Sequence, residues 1–147
     1  MVWACFSYKG VENLVFIDQK VNSLTYQQIL VENLKESAKM MLLQDFIFQQ
    51  DNAPAHSSKL IKKIFEENKI KLLPWPAQSP NLNPIENLWA ILGSKLSGKK
   101  IYSSENLKSE IMNVWSNIDI NILKNLAKSM LNRLRMIISN NGENIKY

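Results

Sequence analysis

The sequence holds one cysteine, Cys5, and one histidine, His56, in 147 residues. A lone cysteine excludes an internal disulfide framework and makes a reducing compartment the simpler expectation. A zinc site needs a cluster of Cys and His ligands, and no such cluster exists. Glycine and proline are scarce, at four and five residues, which excludes collagen-like and low-complexity chains. No apolar run approaches the ~20 residues that span a bilayer. The start, Met1-Val2-Trp3-Ala4-Cys5-Phe6, lacks the basic region and long apolar run of a signal peptide. No serine–histidine–acid pattern or glycine-rich phosphate loop is visible. Aspartate is rare too: Asp18, Asp45, Asp51 and Asp119 are the whole set. What remains is carboxylate chemistry with a hard cation such as Mg²⁺.

The length suits one domain spanning 1–147, and 46% hydrophobic residues can build a core without staples. The net charge of +5 is unevenly placed. Residues 1–94 carry nine basic and nine acidic side chains, and residues 95–147 carry nine basic and four acidic. A basic last third favours polyanions such as nucleic acid; a solvated basic face chosen for solubility is the competing explanation.

Two short runs, 2–6 and 13–17, are rich in aromatic and β-branched residues and flank the turn Tyr8-Lys9-Gly10, which predicts an antiparallel pair. Leu24, Ile29, Leu30, Leu34, Ala38, Met41 and Leu42 recur at helical spacing, so 25–43 reads as a helix opened by Ser23 or Thr25. Phe46-Ile47-Phe48 reads as a strand buried on both faces. A helix capped by Ser57 or Ser58 follows, then a strand over 70–73. Four prolines fall in the eleven residues from Pro74 to Pro84, which predicts a stiff, shaped loop. Asn83 with Pro84 opens the next helix. Two more helices follow, opened by Ser103 or Ser104 and by Asp119, with Leu107 and Leu134 expected to face inward. The order β-β-α-β-α-β-α-α-α makes one α/β domain.

Asp51 sits where ligands bind in open α/β sheets, at the C-terminal end of a strand expected to be buried; Asp-Asn before Ala-Pro is also ordinary turn chemistry. Glu86 follows the rigid loop in the first turn of its helix. It also fits a capping box with Asn83 and complements the helix dipole. His56 is either an acid–base group or a polar loop residue.

Three segments together are more specific than any one. QQDNAPAH (49–56), WPAQSPNLNPIENLW (75–89) and the terminal SMLNRLRMII (129–138) with its NG and KY endings resemble the catalytic domain of mariner-like DNA transposases of the DDE superfamily. Thirty-four residues separate Asp51 from Glu86, the interval found between the second Asp and the Glu in one large branch of that family. The resemblance implies a ribonuclease-H-like mixed sheet flanked by helices, with Mg²⁺ or Mn²⁺ held by Asp51 and Glu86. It implies cutting and joining of DNA at transposon ends, with Asn52 and His56 as auxiliary residues and a nuclear location. Lys95, Lys99, Lys100, Arg133 and Arg135 are the candidate DNA contacts, although Arg133 and Arg135 stand about 200° apart on a helix. Asn81 replaces an Asp usual in the family's proline loop, and Gly93 stands where a Lys is common.

The resemblance also implies that the first, central strand and its Asp are missing here. Asp45 is no substitute, lying six residues or about 20 Å along the chain from Asp51. Asp18 ends a strand three positions away in the family's sheet. Two ligands of three imply no cleavage by this chain alone. Removing a central strand exposes two edges, so either the flanking strands close up or another chain, or a second copy, supplies the strand. The alternative to a catalytic segment is a non-catalytic nucleic-acid-binding or subunit-interaction module on the same scaffold.

Overall fold

Alternating side chains make residues 2–16 a hairpin that serves two cores. The computed structural model describes residues 1–40, 45–76 and 79–141. Strand β1 (Val2–Ser7) pairs antiparallel with β2 (Gly10–Phe16), with one irregularity in register between Ala4 and Cys5. Val2, Ala4 and Phe6 pack with Leu14 and Phe16 into one core, whereas Trp3 points into the other, as a side-chain period of two demands.

The first core is closed by three helices, α4 (Pro84–Leu96), α5 (Ser104–Ser116) and α6 (Ile120–Ser139). They contribute Leu88, Leu92, Val114, Trp115 and Leu123. Ser103 and Asp119 cap α5 and α6 through side-chain bonds to Asn106 N and Asn121 N, as anticipated. The second core joins α1 (Ser23–Ile29) to α3 (Lys59–Glu67) through Tyr26, Leu30, Ile61 and Phe65. Ser58 caps α3.

Helix α1 starts one residue earlier than its expected caps, because Asn22 Oδ1 takes the amides of Leu24 and Thr25 at 3.0 and 2.9 Å. It passes through a π-helical stretch, Leu30–Leu34, into α2 (Lys35–Met40). The rest of the anticipated helix, including Met41 and Leu42, lies outside the described residues, as do Ala77, Gln78 and the segment from Gly142 onward. Leu24, Leu107 and Leu134, expected on buried stripes, are 66%, 38% and 45% exposed. Periodicity marks an apolar stripe but not which of its margins a neighbour covers.

The largest departure concerns the sheet. β3 (Ile47–Phe48) pairs in parallel with β4 (Lys71–Leu72), and among the described residues this ladder is separate from β1–β2. A mixed sheet lacking its central strand was the expectation, and among the described residues the strands do not form one continuous sheet. Nor is β3 buried on both faces, since Ile47 is 61% exposed. The flanking strands have therefore not closed up. Between them runs a cavity of about 540 Å³ lined by all of residues 2–8 and 45–51. Successive strand residues face opposite sides, so a cavity that touches every one of them runs along the strand edges. The other edge of β1 is taken by β2, and that of β3 by β4.

Trp3 packs against the core cluster that holds Tyr26, and the Tyr26 hydroxyl donates to Gln50 Oε1 at 2.8 Å. The start of β1 thus lies beside the end of β3; because both strands flank one cavity along their whole length, they run in opposite directions.

Burial pushes the Cys5 thiol up to about 11 from 9.0. A raised acid pKa means the folded state disfavours the thiolate, so this contribution is intact below pH 9 and is lost as pH rises toward 11. Urea melts should show the chain losing about 1 kcal/mol more between pH 8 and pH 10 than Cys5→Ala does. Equal losses would contradict the burial of that thiol. The Tyr26 hydroxyl, raised by the same cause, adds its own loss at still higher pH in both proteins.

Candidate functional site

The cavity lining carries the candidate carboxylates. Asp51 lies three residues beyond β3, and its Oδ1 accepts from Ala53 N at 3.0 Å. That local bond is the turn chemistry its sequence context predicted. The same oxygen lies 2.5 Å from His56 Nδ1. The His56 ring in turn lies against Tyr26, with centroids 4.0 Å apart, and Gln50 Nε2 donates to His56 O at 3.0 Å. His56 therefore fixes the orientation of Asp51 and is itself fixed by a buried tyrosine and a glutamine. The Asp51 side chain remains 54% exposed.

Glu86 arrives on a different element. Pro80–Leu82 form a 3-10 turn, Asn83 precedes α4, and Pro84 occupies its first position. The anticipated capping box does not form: Asn83 makes no side-chain capping bond, and its Oδ1 lies 3.5 Å from Gln49 Nε2. The Glu86 carboxylate is exposed and has no hydrogen bond or ion pair among the described residues.

Two side chains stitch the Asp51 segment to the Glu86 segment. Gln49 Nε2 donates to Leu82 O at 3.3 Å, and Asn52 Nδ2 donates to Trp75 O at 2.8 Å. Asp51, His56 and Glu86 all line the one cavity. The donors are hard oxygens open to solvent, which suits Mg²⁺ or Mn²⁺. Among the described residues no group of three or more acidic, histidine or cysteine side chains converges as a metal site. Asp45 lines the cavity at a distance along the strand, and Asp18 pairs with Lys108 at 3.4 Å.

The basic candidates scatter. Lys95, in the last turn of α4, and Lys100 and Arg135 are exposed. Lys99 is paired with Glu110, a partly exposed ion pair of the kind that contributes little and exchanges readily. Arg133 corrects the expectation. It is 1% exposed, and its guanidinium donates to Asn81 O, Asn87 Oδ1 and Ser129 Oγ, so it cannot lie against a DNA backbone. Its opposition to Arg135 on α6 is the geometry that a 200° separation requires.

Sequence reasoning passed over Gln49, Gln50 and Tyr26. The one available signal was a polar pair, Gln49-Gln50, closing an apolar strand directly before Asp51.

Comparison with known proteins places this arrangement. A family model described as "DDE superfamily endonuclease" matches residues 1–108. The Tc3 transposase of Caenorhabditis elegans is 42% identical over the whole chain, which covers 45% of that protein. The Tcb2 transposase of Caenorhabditis briggsae is 35% identical over the whole chain, covering 54% of it. The chain thus spans about half the length of these curated relatives. In structure it is similar to the catalytic domain of Mos1, a mariner transposase of Drosophila mauritiana, solved with raltegravir and Mn. The TM-score is 0.86 at 21% identity, covering 99% of this chain and 82% of that one. That likeness gives the fold, an α/β arrangement of the ribonuclease-H-like kind. With the family model matching most of its length and two transposases aligned along all of it, the chain belongs to the DDE superfamily endonucleases, as a segment of a mariner-like transposase catalytic domain.

Proposed function

We propose that Asp51 and Glu86 are two carboxylate ligands of a divalent-metal centre, Mg²⁺ or Mn²⁺, that cuts and joins DNA at transposon ends. The observation that carries this reading is the cavity they share. Two exposed carboxylates, on elements far apart in sequence, line one cavity and are tied together by Gln49 and Asn52. Held by Asp51 and Glu86, such ions would supply electrophilic stabilisation to phosphodiester cleavage and transfer. The chain's own contribution is placement. His56 orients Asp51, the proline-rich loop fixes the start of α4, and both acids stay open to an approaching backbone. Lys95, Lys99, Lys100 and Arg135 supply attraction for phosphates, and action on DNA makes the nucleus the working location.

The third ligand comes on a further strand. β1 and β3 run in opposite directions, and among the described residues each leaves one edge unpaired beside the cavity, so a strand between them would pair with both and join two ladders into one mixed sheet. Running parallel to β3, it ends beside Asp51. Its source is a contiguous segment, a second chain or a second copy. Without that strand the chain has the character of the alternative reading, a nucleic-acid-binding or subunit-interaction module. The two unpaired edges are the observation that favours it.

Mn²⁺ titration tests the ligand assignment. The chain should bind Mn²⁺ weakly, near the ~10⁻³ M of sparsely liganded sites. Asp51→Ala and Glu86→Ala should each weaken binding at least about tenfold. Unchanged binding in either variant removes that residue from the site.

A further inference from the structure

We infer that Arg133 is a positioning residue for Glu86: a buried clamp that holds the 3-10 turn and the first turn of α4 against α6. The inference rests on Glu86 as a metal ligand and adds a group that reaches it through its neighbours. Arg133 is among the most deeply buried side chains, at 1% exposure. Its Nη1 donates to Asn81 O at 2.7 Å, within the turn that precedes α4. Its Nη2 donates to Asn87 Oδ1 at 2.7 Å, one residue after Glu86. Its Nε donates to Ser129 Oγ at 3.0 Å on its own helix, and that hydroxyl donates back to Leu126 O at 2.7 Å.

Two of these donors thus hold the chain on both sides of Glu86 from a third element, and the remaining one braces the guanidinium on its own helix. One and two turns earlier on α6, Met130 and Ala127 line the cavity that Glu86 lines, so the helix that carries the clamp also borders the site. A planar fork presents separate nitrogens to acceptors on two segments at once; a lysine, with one nitrogen, reaches them less completely. Burying a guanidinium is expensive, and packing alone would be served by an apolar side chain of similar volume. The geometry instead matches a requirement for precision, since ligands on a metal site must be held by a locked supporting shell. Asn87 serves as the receiving half, which explains a polar side chain next to Glu86 on the half-buried flank of α4.

Two readouts test this. In Arg133→Met, amide exchange at Leu82, Asn83 and Glu86 should quicken at least about tenfold beyond any change in the β1–β2 ladder. Arg133→Lys should recover only part of it. Asn87→Ala, which keeps Arg133 and removes one acceptor, should shift the same amides in the same direction and covers the case that Arg133→Met does not fold. Second, Glu86→Ala should weaken Mn²⁺ binding at least about tenfold in the unaltered chain and less than about threefold in the Arg133→Met background. Exchange that quickens equally everywhere, or an undiminished Glu86 effect in the Arg133→Met background, overturns the clamp. If Glu86→Ala costs nothing in the unaltered chain, the ligand reading falls, and the exchange pattern alone decides whether Arg133 holds the turn.

Discussion

A chain extended ahead of Met1 by one β-strand with an aspartate at its C-terminal end is expected to nick supercoiled plasmid in Mn²⁺. The rate should exceed that of the unextended chain by at least about 10³, the scale of removing one member of a set of catalytic groups that act as a unit. The reasoning starts from strand direction. The Tyr26 contacts put the start of β1 beside the end of β3. A strand joined to Met1 by a tight turn runs antiparallel to β1, hence parallel to β3, and its last residues fall beside Asp51. There an acid meets Asp51 and Glu86; at any other position along the strand it does not. The same strand ending in asparagine should pair equally well and leave the plasmid intact. Equal nicking by the asparagine version, or by the unextended chain, contradicts the scheme. Because the strand covers two unpaired edges, either version should also be less prone to self-association than the unextended chain.

Leu88→Ala is expected to cost roughly 2–5 kcal/mol, as buried Leu→Ala changes do when the cavity cannot collapse. Leu88 is fully buried, at 0% exposure, in the core where α4 meets the β1–β2 hairpin and the neighbours of Trp115 and Leu123. Little there can move into the void: Trp115 is held by its indole bond to Glu12 O at 3.1 Å and stacks on Trp89 at 5.3 Å. Against a typical total of about 5–15 kcal/mol, the loss is large, and Tm should fall by roughly 5–15 °C for a domain of this size. Leu88 and Glu86 stand two residues apart, so they occupy nearly opposite faces of α4. The substitution therefore acts on the seating of the helix, not on the carboxylate. A melting point lowered by less than about 2 °C would show that α4 is not anchored there.

Local rules carried the sequence reading where they act locally. The hairpin over β1 and β2, the Ser58, Ser103 and Asp119 caps and the Pro84 start of α4 depend on neighbours within a turn, and all are seen. Motif and spacing singled out Asp51 and Glu86 as candidates, and both line one cavity in the structure. What was not legible depends on partners far along the chain. Phe46-Ile47-Phe48 carries the composition of a doubly buried strand, but composition cannot reveal that one flank lacks a neighbour. Arg133 looks like a surface cation in a basic third of the chain. Its acceptors, Asn81 and Asn87, lie 52 and 46 residues away. Asn22 outcompeted Ser23 and Thr25 as a cap because its side chain reaches two amides at once.

The central claim is that Asp51 and Glu86 form one metal half-site on the lining of the cavity. Paramagnetic broadening of backbone amide signals, followed while the unaltered chain is titrated with Mn²⁺, tests it most directly, because it reads both segments in one experiment. The account predicts that the amides of 50–53 and 85–87 broaden together, at the same Mn²⁺ concentration, before those around Glu110 or Glu32. Broadening of one segment without the other, or of neither before the surface carboxylates, would contradict it.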